Sequence, residues 1–84
     1  MQEYYIQDDI TGFLDEWFTR IISSDQYTIC GYCYGNPRFP NGTWVRTDIV
    51  TTPIEDCTVG ALIKTLNSTY KLGRHSNPLT GDNN

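Results

Sequence analysis

The sequence predicts an α+β domain, with one N-terminal amphipathic helix packed on a three- to four-stranded antiparallel sheet. Three observations carry that expectation. Apolar residues between 10 and 22 recur at helical spacing, two later runs are rich in β-branched and aromatic residues, and turn chemistry separates those runs. The chain has 84 residues, which suits a single domain over 1–84 with no linker and no internal repeat. By area scaling, a chain of this size buries roughly 63% of the surface it exposes when unfolded. That supports one core and leaves little depth for an active-site cleft.

The helix is expected over about residues 9–23. Ile10, Phe13, Leu14, Trp17, Phe18, Ile21 and Ile22 follow the i, i+3, i+4, i+7 template, and Thr11, Asp15, Glu16, Thr19, Arg20 and Ser23 fall between them as a wet face. Asp8 or Asp9 supplies an N-cap, and Asp15 and Glu16 lie in the half where the helix dipole favours acids. Gly12 costs about 1 kcal/mol relative to Ala in such a position. A membrane-surface helix would carry many bases, whereas this segment has Arg20 alone. The reading therefore puts Trp17 and Phe18 in the core and Asp15 on the surface.

After Ser23-Ser24-Asp25 the period changes. Residues 27–34 are rich in Tyr, Thr and Ile and read as a strand. Gly35-Asn36-Pro37-Arg38-Phe39-Pro40-Asn41-Gly42 is turn chemistry throughout, and a second strand is expected over 43–52, ended by Pro53. The third segment is ambiguous. Val59, Leu62, Ile63, Leu66 and Tyr70 match a helical template capped by Thr58 and stopped by Gly73, while 62–72 also alternates. Thr65, Asn67, Ser68 and Thr69 disfavour a helix interior, so a strand over 61–72 is chosen. A flexible tail is expected over 73–84, from its Asn-Pro and Gly-Asp-Asn-Asn composition.

Composition bounds the function classes. Aromatic residues make up 13% of the chain, too many large rings for a disordered segment. No run approaches the roughly 20 apolar residues a membrane span needs. The opening MQEYYIQDD lacks the basic start and apolar stretch of a secretory signal, so a soluble, cytoplasmic protein without membrane contact is expected. The net charge of −4 is uneven: residues 1–26 carry six acids against Arg20, and residues 27–84 carry five bases against four acids. An acidic chain of this kind is expected to bind duplex DNA no better than non-specifically.

Cys30, Cys33 and Cys57 are an odd number of cysteines, which argues against a disulfide framework. Cys30-Gly-Tyr-Cys33 has the spacing of a redox pair or of half a zinc site, and zinc would need Cys57 and His75 as further ligands. A redox pair wants a helix N-terminus, and this one lies in a predicted strand, so buried reduced thiols are preferred and no metal or cofactor is expected. A small zinc-binding domain is kept as an alternative. No phosphate-binding glycine loop is present, and the adjacent carboxylates Asp8-Asp9 and Asp15-Glu16 would point different ways on a helix. No catalytic residues are assigned, and the chain is not expected to be an enzyme.

Two places combine bases with aromatics. Arg38 and Phe39 sit in the loop with Trp44 and Arg46 just beyond it, and Tyr70, Lys71 and Arg74 close the third segment. Trp, Tyr and Arg dominate the energetics of protein interfaces, and the same pairing stacks single-stranded nucleic acid. These seven residues are the candidate binding residues. Gly35-x-x-Arg38-Phe39-x-x-Gly42-x-x-Val45-x-Thr47-x-x-Val50, followed by Thr65-x-Asn67-Ser68-x-Tyr70-x-Leu72-Gly73, resembles small accessory proteins of bacteriophages, prophages and plasmids. The resemblance covers residues 35–73 and rests on turn and strand positions. It implies a mobile-element accessory protein, and by analogy of genetic context one that binds and inhibits or modulates a host protein or complex, such as the CRISPR–Cas defence machinery. A small nucleic-acid-binding regulatory protein is the alternative. The oligomeric state and the identity of the host target are left open.

Overall fold

A computed structural model describes residues 10–76, and where a helix was expected it has the longest strand of the fold. The strands are β1 (Gly12–Ser23), β2 (Gln26–Tyr34), β3 (Thr43–Arg46), β4 (Leu62–Lys64) and β5 (Thr69–Leu72), with one short 3-10 turn at Ile54–Asp56. They form one five-stranded sheet in the order β3-β2-β1-β5-β4. The sheet is mixed, because β1 and β5 run parallel while the other neighbouring pairs are antiparallel. The expected α+β fold, with its N-terminal helix on a three- to four-stranded antiparallel sheet, is thereby corrected.

The physical reason lies in a β-bulge. Asp15 pairs with Tyr32 and Phe18 with Cys30, so Glu16 and Trp17 together oppose Gly31 alone. Glu16 adopts φ 52°, the left-handed conformation that lets the extra residue fit. The bulge shifts the strand's alternation by one, so Leu14 and Trp17, three apart, both reach the core. Phe13, Asp15 and Phe18 are left on the opposite face. A bulged strand with aromatics on both faces reproduces the apolar spacing of a helix. The side chains themselves favour a strand, since Phe, Trp, Thr and Ile dominate 13–22. Gly31 is required opposite the bulge: a Cβ there would lie 3.1 Å from the Asp15 carbonyl oxygen and 3.2 Å from the Trp17 Cα.

Ser24-Asp25 joins β1 to β2 in a tight hairpin. The loop from Gly35 to Gly42 is tied by its own side chains. Asn36 Oδ1 accepts from the Arg38 N–H at 2.9 Å, Asn41 Oδ1 accepts from the Gly35 N–H at 2.8 Å, and the Thr43 hydroxyl donates to the Pro40 carbonyl at 2.7 Å. Gly35 and Gly42 take φ of 77° and 89°, which glycine adopts without strain.

β3 is shorter than the 43–52 expected. Beyond Arg46 the chain stays on β2, through Thr47 N–H to Ile29 O and Val50 N–H to Tyr27 O, both 2.9 Å. It also reaches the end of β4, through Thr51 N–H to Lys64 O at 2.7 Å and an antiparallel bridge between Val50 and Thr65. The two outer strands of the order are thus drawn together, and the sheet curls around a core of Leu14, Trp17, Tyr27, Ile29, Cys33, Val50, Ile63, Tyr70 and Leu72. Residues 61–72 form a hairpin of β4 and β5 rather than one strand. The Thr65 Oγ1 accepts from the N–H groups of Asn67 and Ser68 and closes the turn, the local bonding that disfavours a helix.

The tail expected from residue 73 begins as structure. Gly73 N–H bonds Leu14 O at 2.7 Å and Ser76 N–H bonds Trp17 O at 2.8 Å, which carries the chain along β1 as far as His75 and Ser76. Residues 77–84 and the expected cap residues Asp8 and Asp9 lie outside the described residues.

Trp17 is 3% exposed and donates its indole N–H to the Gly73 carbonyl, whereas Phe18 is half-buried. Trp17→Ala should therefore cost about 3–5 kcal/mol in urea melts, and Phe18→Ala clearly less. Gly31→Ala should cost about 1 kcal/mol or more, because crowding against bulge backbone outweighs the roughly 0.4–1 kcal/mol gained from a stiffer unfolded chain. Equal losses at Trp17 and Phe18, or a stabilising Gly31→Ala, would contradict the bulged strand.

Candidate functional site

Four of the seven candidate residues meet at one cavity. Arg38 and Phe39 come from the Gly35–Gly42 loop, Arg46 ends β3, and Tyr70 lies in β5. With Val45, Thr47, Asp48, Thr65, Asn67 and Ser68 they enclose about 330 Å³ between the loop and the β4–β5 turn. The cavity lies where β3 and β4 themselves do not pair: the contact between the two edges is made beyond β3, by residues 49–51 against Lys64, Thr65 and Leu66. Much of its polar wall is already satisfied. Thr47 Oγ1 accepts from Ile29 N–H and donates to Asp48 O, Thr65 Oγ1 holds the turn, and Asn67 Nδ2 donates to Asp48 Oδ2 at 2.9 Å. Tyr70 is 7% exposed, and burial pushes its phenol above the ordinary value.

Trp44 and Lys71 lie elsewhere, on the outer face of the sheet. Cross-strand register places Lys71, Phe13 and Tyr34 in one row and Asp15, Tyr32 and Trp44 in the next, followed by Phe18, Cys30 and Arg46. The Trp44 ring sits 4.8 Å from that of Tyr32 and 5.9 Å from that of Phe18. Phe13, Tyr32, Tyr34 and Trp44 are 39–48% exposed, so the face presents an accessible ring cluster centred on Trp44, with Phe13 and Tyr34 in the neighbouring row. Arg20 and Lys64 fall on this face by the same register, opposite Thr28 and Thr69.

Arg74 forms a bidentate fork on Asp15, with Nη2 2.7 Å from Oδ2 and Nε 3.2 Å from Oδ1, and its backbone N–H adds a third bond at 3.0 Å. Asp15, expected on the wet face of a helix, thus anchors the chain that follows β5. The Arg74 side-chain hydrogen bonds, then its backbone N–H, hold the Asp15 carboxyl down at about 2 against an ordinary 3.8. Arg74 therefore has a structural duty, as does Tyr70 through its place in the core.

The cysteines do not converge. Cys30 and Cys33 are three apart on β2, so they face opposite sides of the sheet, and two thiolates of this Cys-x-x-Cys cannot share an ion. Cys57 Sγ lies 3.2 Å from the Tyr27 hydroxyl, which also bonds the Thr52 carbonyl. Burial raises the thiols of Cys33 and Cys57 above the ordinary value and favours the inert protonated form. His75 packs edge-on against Trp17, with ring centroids 4.5 Å apart.

Sequence reasoning missed Phe13, Phe18, Tyr32 and Tyr34 as surface residues. The first two were consigned to a helix core, and the last two carry no motif. Tyr-x-Tyr at 32–34 beside buried Cys33 was the available signal, since alternation puts both rings on one face. Asp48 and Asn67 also went unnoticed, because only the tertiary fold brings them together.

No protein-family model, curated protein or solved structure matches the chain. Among the described residues no helix is long and apolar enough to cross a membrane.

Arg74→Ala should raise the Asp15 titration midpoint from about 2 toward 3.8, read from its side-chain carboxyl carbon by NMR. The folded carboxyl titrates below the unfolded one, so its contribution is complete above about pH 3.8 and is lost as pH falls through about 2. Acid unfolding of Arg74→Ala should accordingly show a weaker pH dependence in that window. An unchanged midpoint would show that the fork is absent in solution.

Proposed function

We propose that the chain is a non-catalytic binding module of a mobile genetic element that docks on a host protein or complex through the outer face of its sheet. The carrying observation is the aromatic surface of Phe13, Phe18, Tyr32, Tyr34 and Trp44, with Trp44 at its edge 48% exposed. A small domain that could bury such rings instead displays them together, and Trp and Tyr supply most of the energy where protein interfaces form. The mobile-element origin rests on the resemblance over residues 35–73, and inhibition of a defence complex is the form of docking that origin suggests.

A second reading is supported by Arg20, Arg46 and Lys71 on the same face. A sheet with rings and cations interleaved can stack a single strand of nucleic acid. Duplex DNA is not accommodated in this way, because its bases are already stacked, and its binding should stay at the non-specific level of roughly 10⁻⁴–10⁻⁶ M at physiological salt.

Affinity capture from host lysate, with mass spectrometry of the retained species, identifies the partner. On the purified partner, Trp44→Ala and Tyr32→Ala should each weaken binding by at least about tenfold, while melting temperature changes by less than about 4 °C. A partner retained equally by both variants would overturn the docking face. A retained RNA or single-stranded DNA whose affinity falls steeply with salt would replace the protein partner by the second reading.

A further inference from the structure

We propose that the cavity between the Gly35–Gly42 loop and the β4–β5 turn binds a 5′-mononucleotide, its phosphate held by Arg38 and Arg46. The cavity is distinct from the ring surface of the outer face, although Arg46 borders both. Its hydrogen-bonding balance points to an anion. The hydroxyls of Thr47 and Thr65 and the amide of Asn67 are engaged within the wall, so the other side-chain donors of the lining are the Ser68 and Tyr70 hydroxyls and the two guanidiniums, of which only the guanidiniums carry charge. Among the described residues the ion pairs are those of Arg74 with Asp15 and Glu16, and neither cavity arginine takes part in them. Guanidiniums present a planar fork that matches phosphate oxygens.

The rest of the wall suits the nucleoside. Phe39, 37% exposed, and Val45 give an apolar side against which a base can lie. Asp48 is the one carboxylate in the lining. Asn67 occupies its Oδ2, and its remaining acceptor capacity suits a ribose hydroxyl. A volume of about 330 Å³ lies at the lower end of the usual range for small-ligand pockets and admits one nucleotide rather than an oligomer. The loop is held by Asn36, Asn41 and Pro40 before any ligand arrives, so Arg38 is presented at low entropic cost.

The test titrates ¹⁵N-labelled full chain with AMP, adenosine and inorganic phosphate separately. AMP should shift the amides of residues 38–48 and 65–70 saturably, with a Kd of about 1 mM or tighter. Adenosine and inorganic phosphate should each bind about tenfold more weakly than AMP. Arg38→Ala and Arg46→Ala should each weaken AMP by about tenfold or more. Trp44→Ala should leave AMP binding unchanged, which separates this site from the docking face. Adenosine binding as well as AMP would remove the arginine–phosphate contact, and phosphate binding as well as AMP would remove the nucleoside half. Absence of saturable shifts in the cavity, or shifts confined to the outer face, would overturn the site altogether.

Discussion

The two-for-one mismatch between Glu16-Trp17 and Gly31 decides what each face of this sheet does. Without it, Leu14 and Trp17 would point to opposite sides, and the core would lose its indole or the outer face its phenylalanines. With it, Trp17 turns inward and donates to the Gly73 carbonyl, while Asp15 turns outward and is clamped by Arg74. Both bonds fasten the chain after β5 to β1. The parallel pairing that completes the sheet is thus extended by the same local irregularity that sorts the side chains. Gly31 permits it, because a side chain at that position would press on the bulge backbone.

One sheet cannot enclose a core by itself, and here the segment between β3 and β4 supplies the cover. Val50 comes from the stretch that continues along β2 after β3, and Cys57 and Ala61 pack against the same cluster. Tyr27 ties this segment down through its hydroxyl, which meets the Thr52 carbonyl and the Cys57 thiol. Burial, then the hydrogen bond to Cys57, raises the Tyr27 phenol, so the contact persists through the ordinary pH range. With the core satisfied on this side, the rings of the opposite face have no intramolecular cover among the described residues. That division of labour, one face enclosed and one face presented, underlies the proposed docking role.

The strands and loop from 26 to 46 were legible in the sequence because their signals are local: β-branched runs, Asx-type turn bonds and two glycines at positive φ. The N-terminal strand was not, because a bulge is a relation between two strands. Nothing in Ile10–Ile22 announces that Gly31 will oppose two residues, and a shifted alternation imitates the period of a helix. The candidate site divided in the same way. Arg38 and Phe39 could be read from their loop, and Tyr70 and Arg46 joined them through the curl of the sheet. Arg74 looked identical in sequence to a binding arginine until the fold set Asp15 beside it. The pairing of Asp48 with Asn67 has no sequence signal, since nineteen positions separate them and a single hydrogen bond joins them.

The bulged strand is tested most directly by the stability of Glu16→Gly, measured by urea unfolding against the parent chain. Glu16 is exposed and holds φ 52°, a conformation in which glycine is unstrained. The substitution should leave stability unchanged or raise it by up to about 1 kcal/mol. A helix through residues 9–23 would instead lose about 1 kcal/mol on receiving glycine in its interior, and a loss of that size would contradict the fold described here.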